Sequence, residues 1–243
     1  MRKIFLLLAI FIIAGTASAE TSNSASESEN TNAEAGPAPK IANNGQSFKN
    51  FSIFLDFGEK YMVSGSWYNS LHNGLTPTPT SLSSLGSGVG FDLYLTKLFG
   101  ISLAYDYLDM LFANAPNVTS LDVSTCSSIK AQVLMRIPFF QRDNKAMFFR
   151  IFAGPNYSFF DATSDLKNLI TSSANKSGYT VTFYNGPATG IGFSGGAGYM
   201  FEINHLDLGV DFIVDYKNVE YPAATTSIDM LEVGLQFRIG LDF

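Results

Sequence analysis

The stretch Leu231–Phe243 alternates without a break. Leu231, Val233, Leu235, Phe237, Ile239, Leu241 and Phe243 are apolar, whereas Glu232, Gly234, Gln236, Arg238, Gly240 and Asp242 are polar, charged or glycine. A strand sends successive side chains to opposite faces, so this segment has one apolar face and one wet face. A helix of 3.6 residues per turn would scatter the same residues around its circumference.

The same period recurs through the chain. Phe51, Ile53, Leu55 and Phe57 alternate with Ser52, Asp56 and Gly58, and Phe54 breaks the rule. Val89 to Leu95 follow, then Ile101 to Tyr107 after a turn near Leu98–Gly100. Ile129 to Ile137 form the next strand, with Leu134 out of pattern, and Pro138 is predicted to end it. Met147 to Ala153 come next, with Phe148 and Phe152 on the polar side and Pro155, which has no ladder donor, predicted to end the strand or bulge it. Ile191 to Phe201, a turn at Asn204–His205, Leu206 to Tyr216 and the closing strand complete a set of eight. Ser64–Ser87, Asn114–Asn117, Asp161–Ser177 and Asn218–Thr226 read as connections, and Tyr179–Tyr184 as an added strand segment. Connections alternate long and short, and an even count returns both ends to the short-turn side.

No apolar run reaches the roughly 20 residues that a spanning helix needs. Arg2-Lys3, the apolar Ile4–Ile13 and the small residues Ala17-Ser18-Ala19 predict a signal peptide over 1–19. Residues 20–47 are rich in Ser, Asn, Ala and Glu and predict a disordered periplasmic lead. The barrel is assigned to 48–243. Charged residues are 15% of the chain, against about 25% in ordinary soluble domains. The net charge is -6 and no basic run stands out, which argues against a nucleic-acid partner. Cys126 is the single cysteine and has no internal partner for a disulfide.

The Gly234, Phe237, Ile239 and Phe243 pattern in a closing strand resembles the terminal assembly signal of bacterial outer-membrane β-barrels, in the broad family of small OmpA-, OmpX- and OmpW-like proteins. The resemblance implies an eight-stranded antiparallel up-and-down transmembrane β-barrel. It also implies recognition by the barrel-assembly machinery, a place in outer-membrane lipid with lipopolysaccharide, and surface loops with a structural, adhesion or binding role. Two other readings share the architecture: a small pore or OmpW-like conduit for small apolar compounds, and a lipid A-modifying enzyme.

A soluble barrel alternates too, but with its apolar face inward. Here the polar face consists of Gly, Ser, Asp and a few bases rather than the Lys and Glu of a wetted surface. It is therefore assigned to the interior, with Asp56, Asp92, Asp106, Asp207, Asp211, Asp215 and Glu232 meeting Lys130, Arg136, Arg150 and Arg238. Odd positions of 51–57 and 231–243 and even positions of 206–216 are predicted to face lipid. Eight strands leave an interior that side chains can fill.

Little else points to chemistry. Gly190, Gly192 and Gly195 match a dinucleotide-binding spacing, but no helix is predicted after them. His205 falls in a turn. His72, with Ser66 and Ser70 nearby, is the single candidate base on the loop side, and nothing in the pattern names its acid. No cofactor or metal-ligand spacing is found.

Overall fold

The computed structural model describes residues 50–75, 78–114, 121–142, 145–176, 186–221 and 227–243. The expectations for the signal peptide, the lead and Tyr179–Tyr184 fall outside them. The strands are β1 (Phe51–Ser64), β2 (Ser81–Tyr94), β3 (Phe99–Asn114), β4 (Leu121–Arg142), β5 (Lys145–Ala162), β6 (Ala188–Ile203), β7 (Leu206–Val219) and β8 (Ile228–Asp242). Two helices, α1 (Ser66–Gly74) and α2 (Ser164–Lys176), lie between β1 and β2 and after β5.

Each strand pairs antiparallel with its neighbour in sequence, and β1 pairs with β8, so the sheet closes into a barrel. Closure removes the unpaired edge that hydrocarbon does not tolerate, because a spanning backbone must satisfy its own hydrogen bonds. Outward rings and backbone hydrogen bonds both knit the seam. Phe57 lies opposite Phe237 in the register, and their rings stack with centroids 5.6 Å apart. The amide of Phe243 donates to the carbonyl of Phe51 at 2.8 Å, which brings the two barrel ends together on the short-turn side.

The turns there are tight. Asn204 takes a φ of 56°, and Ile203 pairs with Leu206 across it. Asn tolerates the left-handed region that a two-residue hairpin requires. Between β2 and β3, the Thr96 hydroxyl accepts from the amides of Leu98 and Phe99 at 3.2 and 2.9 Å. The turn thus occupies Leu95–Leu98, slightly before the Leu98–Gly100 position expected from sequence.

The polarity of the wall is inverted relative to a soluble barrel. On β7 the even positions from Leu206 to Tyr216 point outward and the odd positions are buried; on β8 the odd positions point outward. Exposed rings form two girdles. Phe99, Phe139 and Phe243 lie toward the turn side, with the half-buried Phe51 beside them, and Tyr61, Tyr105, Tyr107, Tyr157 and Tyr216 toward the loop side. Ten residues separate Phe51 from Tyr61, which at membrane-barrel tilt spans roughly 25 Å, the height of a lipid-facing apolar band. An apolar exterior of this size is incompatible with free exposure to water. The fold is an eight-stranded transmembrane β-barrel.

Several local expectations are corrected. Ser64–Ser87 is not one long loop: α1 occupies much of it, and β2 begins at Ser81. Asp161–Ser177 contains α2. Likewise β4 starts at Leu121, well before Ile129, and β7 continues past Asn218 to Val219. Pro138 does not end β4. The strand runs on to Arg142, and a register shift between Pro138 and Phe140 absorbs the irregularity. Nor does Pro155 end β5. It faces outward and keeps its place opposite Phe193 on β6. On the β4 side the flanking pairs, Lys130 with Asn156 and Val133 with Ala153, keep one register, so no bulge forms there. The exceptions in the alternation, Phe54, Leu134, Phe148 and Phe152, all point into the barrel.

Candidate functional site

The interior is filled in layers. Nearest the short turns, Arg136 stacks its guanidinium 3.8 Å from the Tyr94 ring centre and 4.9 Å from that of Phe148, and its Nε donates to the Lys97 carbonyl at 3.4 Å. Ala146 and Met200 pack beside Phe148. Asp207 accepts from the Ser52 hydroxyl at 3.4 Å and lies in a group with Glu202 and Asp242.

Above this floor two bases and two acids interlock. Arg150 reaches Asp211 at 3.1 Å and Asp92 at 3.6 Å, while Arg238 reaches Asp92 at 2.8 Å and Asp211 at 3.9 Å. Both guanidinium groups also lie over rings, Arg238 3.4 Å from the centre of Phe54 and Arg150 4.7 Å from that of Phe152. A buried charge is expensive unless paired, and a cation over a ring recovers part of the lost hydration. Leu134, Phe152, Ile213 and Tyr94 form an apolar cluster at this depth.

A second quartet follows nearer the loops. Lys130 is 2.6 Å from Asp106 and 3.1 Å from Asp215, and Lys60 is 2.9 Å from Asp215 and 3.6 Å from Asp106. Each quartet is neutral as a set. Beyond it Lys217 pairs with Glu232 at 2.7 Å. Asp56 is buried directly across from Arg238 in the β1–β8 register. Glycine makes the necessary room: Gly88 sits between Asp56 and Asp106 in the register, and a Cβ there would lie 2.7 and 2.8 Å from their carboxylate oxygens. Gly198 similarly leaves space for Asp211 opposite Arg150.

At the loop end the inward positions turn apolar. Met62, Leu82, Leu111, Ala113, Val123, Phe160, Ala188, Val219 and Met230, from all eight strands, form one buried cluster. Leu71 of α1 and Leu166 of α2 are buried in it, and Trp67 meets Phe160 edge-on with ring centroids 5.3 Å apart. A reciprocal clasp holds α1 in place: Ser66 N–H donates to the Asp229 carboxylate at 3.2 Å and Asp229 N–H to the Ser66 hydroxyl at 2.9 Å. Gly65 enters the helix with φ 117°, where an added Cβ would collide with the Asp229 backbone. The Thr163 hydroxyl caps α2, accepting from Leu166 N–H at 3.3 Å while donating to the Asp122 carbonyl at 2.7 Å. Two interior cavities offer about 10 Å³ each, one beside Arg136 and one between the quartets, roughly enough for a single water.

Every residue assigned to the interior by sequence parity is buried in the structure: Asp56, Asp92, Asp106, Lys130, Arg136, Arg150, Asp207, Asp211, Asp215, Glu232 and Arg238. Lys60 and Lys217, outside the set expected from sequence, complete the upper quartet and the pair above it. They lie beyond the expected ends of β1 at Gly58 and β7 at Tyr216, although both continue the inward parity. Other singled-out residues are placed less suggestively. His72 stacks on Tyr68 at 5.5 Å, the Ser70 hydroxyl donates to the Ser66 carbonyl at 2.8 Å, and the Ser66 hydroxyl is engaged in the Asp229 clasp. His205 Nδ1 is 2.9 Å from the Asp242 carbonyl oxygen. Gly190, Gly192 and Gly195 lie within β6 and precede no helix. Cys126 is half-buried on β4, with Sγ 3.8 Å from the Ser128 hydroxyl.

A closed transmembrane barrel with a packed, charge-paired lumen is thus the class that fold and interior define. No protein-family model matches the chain, and no curated protein matches it in sequence. Similar solved structures include Neisserial surface protein A, at 13% identity and TM-score 0.47 over 79% of this chain and 97% of that one. The outer membrane protein OprG from Pseudomonas aeruginosa aligns at 13% identity and TM-score 0.42, covering 80% of this chain and 97% of its own. Outer membrane protein W of E. coli aligns at 15% identity and TM-score 0.37, covering 81% and 100%.

Proposed function

We propose that this protein is an integral, non-enzymatic barrel of the bacterial outer membrane that acts as a closed scaffold, presenting its loop-side rim for adhesion or binding. The observation that carries this reading is the filling of the lumen through its depth by an apolar cluster under α1 and α2, two charge quartets and the Arg136 floor. A conduit needs a continuous path, and the cavities between these layers admit about one water each. The rim has the character of a contact surface. Asn69, Ser70, Asn73 and Asn168 are exposed there, together with Leu169 and Ile170 of α2. Loops on a rigid scaffold are where binding residues concentrate.

The purified protein in planar bilayers is expected to show no steady single-channel current. Stable, ion-selective openings of the wild type would replace the scaffold reading with the small-pore one. The lipid A-modifying alternative has its own readout, an altered lipid A mass after expression. It draws no support from the hydroxyls of Ser66 and Ser70, both of which bond to backbone groups.

Assembly completes the proposal. Gly234, Phe237, Ile239 and Phe243 lie on or next to the closing strand, and Phe243 is exposed at the turn-side rim, its ring centroid 6.2 Å from that of Phe51. An outward ring there contributes little to packing and is free to be read by the barrel-assembly machinery before closure. Deleting Phe243 is therefore expected to lower the amount of folded barrel in cells several-fold while leaving stability in detergent nearly unchanged, both read by heat-modifiable gel mobility. Normal cellular assembly of the deletion would remove the signal role.

A further inference from the structure

We propose that the cavity between the two charge quartets is a site for one monovalent alkali cation, held by Asp56 and Asp106. The cavity offers about 10 Å³ and is lined by Asp56, Asp106, Gln132, Ser194 and Gln236, and also by Lys130 and Arg238. That is room for a single water-sized body. The fixed charge around it does not balance. Lys60 and Lys130 serve Asp106 and Asp215, and Arg150 and Arg238 serve Asp92 and Asp211. Lys217 pairs with Glu232. Asp56 belongs to none of these sets and is only 5% exposed, so among the described residues it is the acid in excess at this depth. A buried charge left over in this way is expensive.

Two carboxylate oxygens converge here. The Oδ1 atoms of Asp56 and Asp106 are both buried without a hydrogen-bond partner. Both border the gap left by Gly88, since a Cβ there would lie 2.7 Å from one and 2.8 Å from the other. The nearby bases are directed elsewhere. Lys130 takes the other Asp106 oxygen at 2.6 Å, and Arg238, opposite Asp56 in the register, reaches Asp92 at 2.8 Å and lies over the Phe54 ring. Neutral oxygens complete the set. Gln132 donates from its amide nitrogen to the Ser194 hydroxyl at 3.1 Å, which leaves its carbonyl oxygen to face an ion, and Gln236 lines the same cavity. Carboxylate and amide oxygens suit hard cations rather than thiolate-seeking metals. Charge and room then choose the valence. One positive charge balances Asp56, whereas a divalent ion would leave the surrounding quartets with a surplus. Mg²⁺ also keeps several waters when bound, and this cavity has no space for them.

The test is thermal unfolding of the barrel refolded in detergent, in NaCl or KCl against choline chloride at one ionic strength, choline being too large for the cavity. The wild type should gain stability saturably with Na⁺ or K⁺ and not with choline, because an ion bound to the folded state alone stabilises it by mass action. Asp56→Asn removes the excess charge and should lower the apparent alkali-cation affinity at least tenfold. Gln236→Met keeps the side-chain length, carries less folding risk, and should lower it several-fold. Heat-modifiable mobility shows that each variant has formed a barrel. An unchanged cation response in both folded variants would overturn the proposal. So would wild-type stability that is the same in all three salts. In that case insensitivity to pH would leave a water in the cavity, and a loss of stability on raising pH that Asp56→Asn lacks would assign a proton shared by Asp56 and Asp106 instead.

Discussion

Arg150→Ala is expected to destabilise the barrel by about 3–5 kcal/mol, the cost of removing one partner from a buried ion-paired set. Arg150 has no solvent exposure and holds Asp211 at 3.1 Å and Asp92 at 3.6 Å. Without it two carboxylates share Arg238 alone. Arg238 lies 2.8 Å from Asp92 but 3.9 Å from Asp211, so the uncompensated charge falls mainly on Asp211. The double variant Arg150→Met, Asp211→Leu removes a base and an acid together and leaves the Arg238–Asp92 pair. Most of the lost stability should return, because replacing a buried pair by apolar groups of similar volume is often neutral. Reversible urea unfolding in detergent micelles or lipid vesicles measures both. A single variant as mild as a surface change would mean that the lumen is hydrated and that water, not Arg238, takes over the charge.

The barrel is legible in the sequence because its two environments differ in kind and the strand period is two. Parity alone places Leu235 outside and Gln236 inside, and the appearance of Gly, Ser and Asp on the polar side, rather than Lys and Glu, separates lumen from solvent. Parity also assigns Asp92, Asp211, Arg150 and Arg238 to one face. It does not say which acid meets which base. That depends on the stagger of the strands around the ring: Asp92 is on β2, Arg150 on β5 and Arg238 on β8, and no local pattern joins them. The helices were hidden for another reason. At nine residues α1 is shorter than an isolated helix can sustain in water. What holds it is tertiary: Leu71 and Trp67 packed in the barrel mouth and the Ser66–Asp229 clasp, formed with a residue distant in sequence. The prolines misled because their missing donor matters only where the ladder needs one. Pro155 faces outward within a continuous register, and at Pro138 the strand accommodates the defect by a shift.

Val210→Arg should cost about 2–4 kcal/mol, the range for an arginine on the lipid face at the bilayer midplane. Val210 points outward, opposite Phe237 on β8 and Tyr199 on β6, and Phe237 in turn lies opposite Phe57, six residues from the turn-side Phe51 and four from the loop-side Tyr61. That places Val210 near the middle of the apolar band, where a guanidinium cannot easily reach either interface. Leu235→Arg is a matched comparison on the same face. Leu235 is also outward, but it lies opposite Glu59 in the β1–β8 register, two residues from Tyr61, whose hydroxyl donates to the Glu59 carboxylate at 3.0 Å. An arginine there is closer to the loop-side interface and finds an acid beside it, so its cost should fall toward about 1 kcal/mol. The ordering is the informative quantity, because depth in hydrocarbon predicts it and a water-exposed exterior does not. Unfolding of the two variants in lipid vesicles under one set of conditions reads the difference directly. Equal, small costs at both positions would show that the outward face is not immersed in lipid.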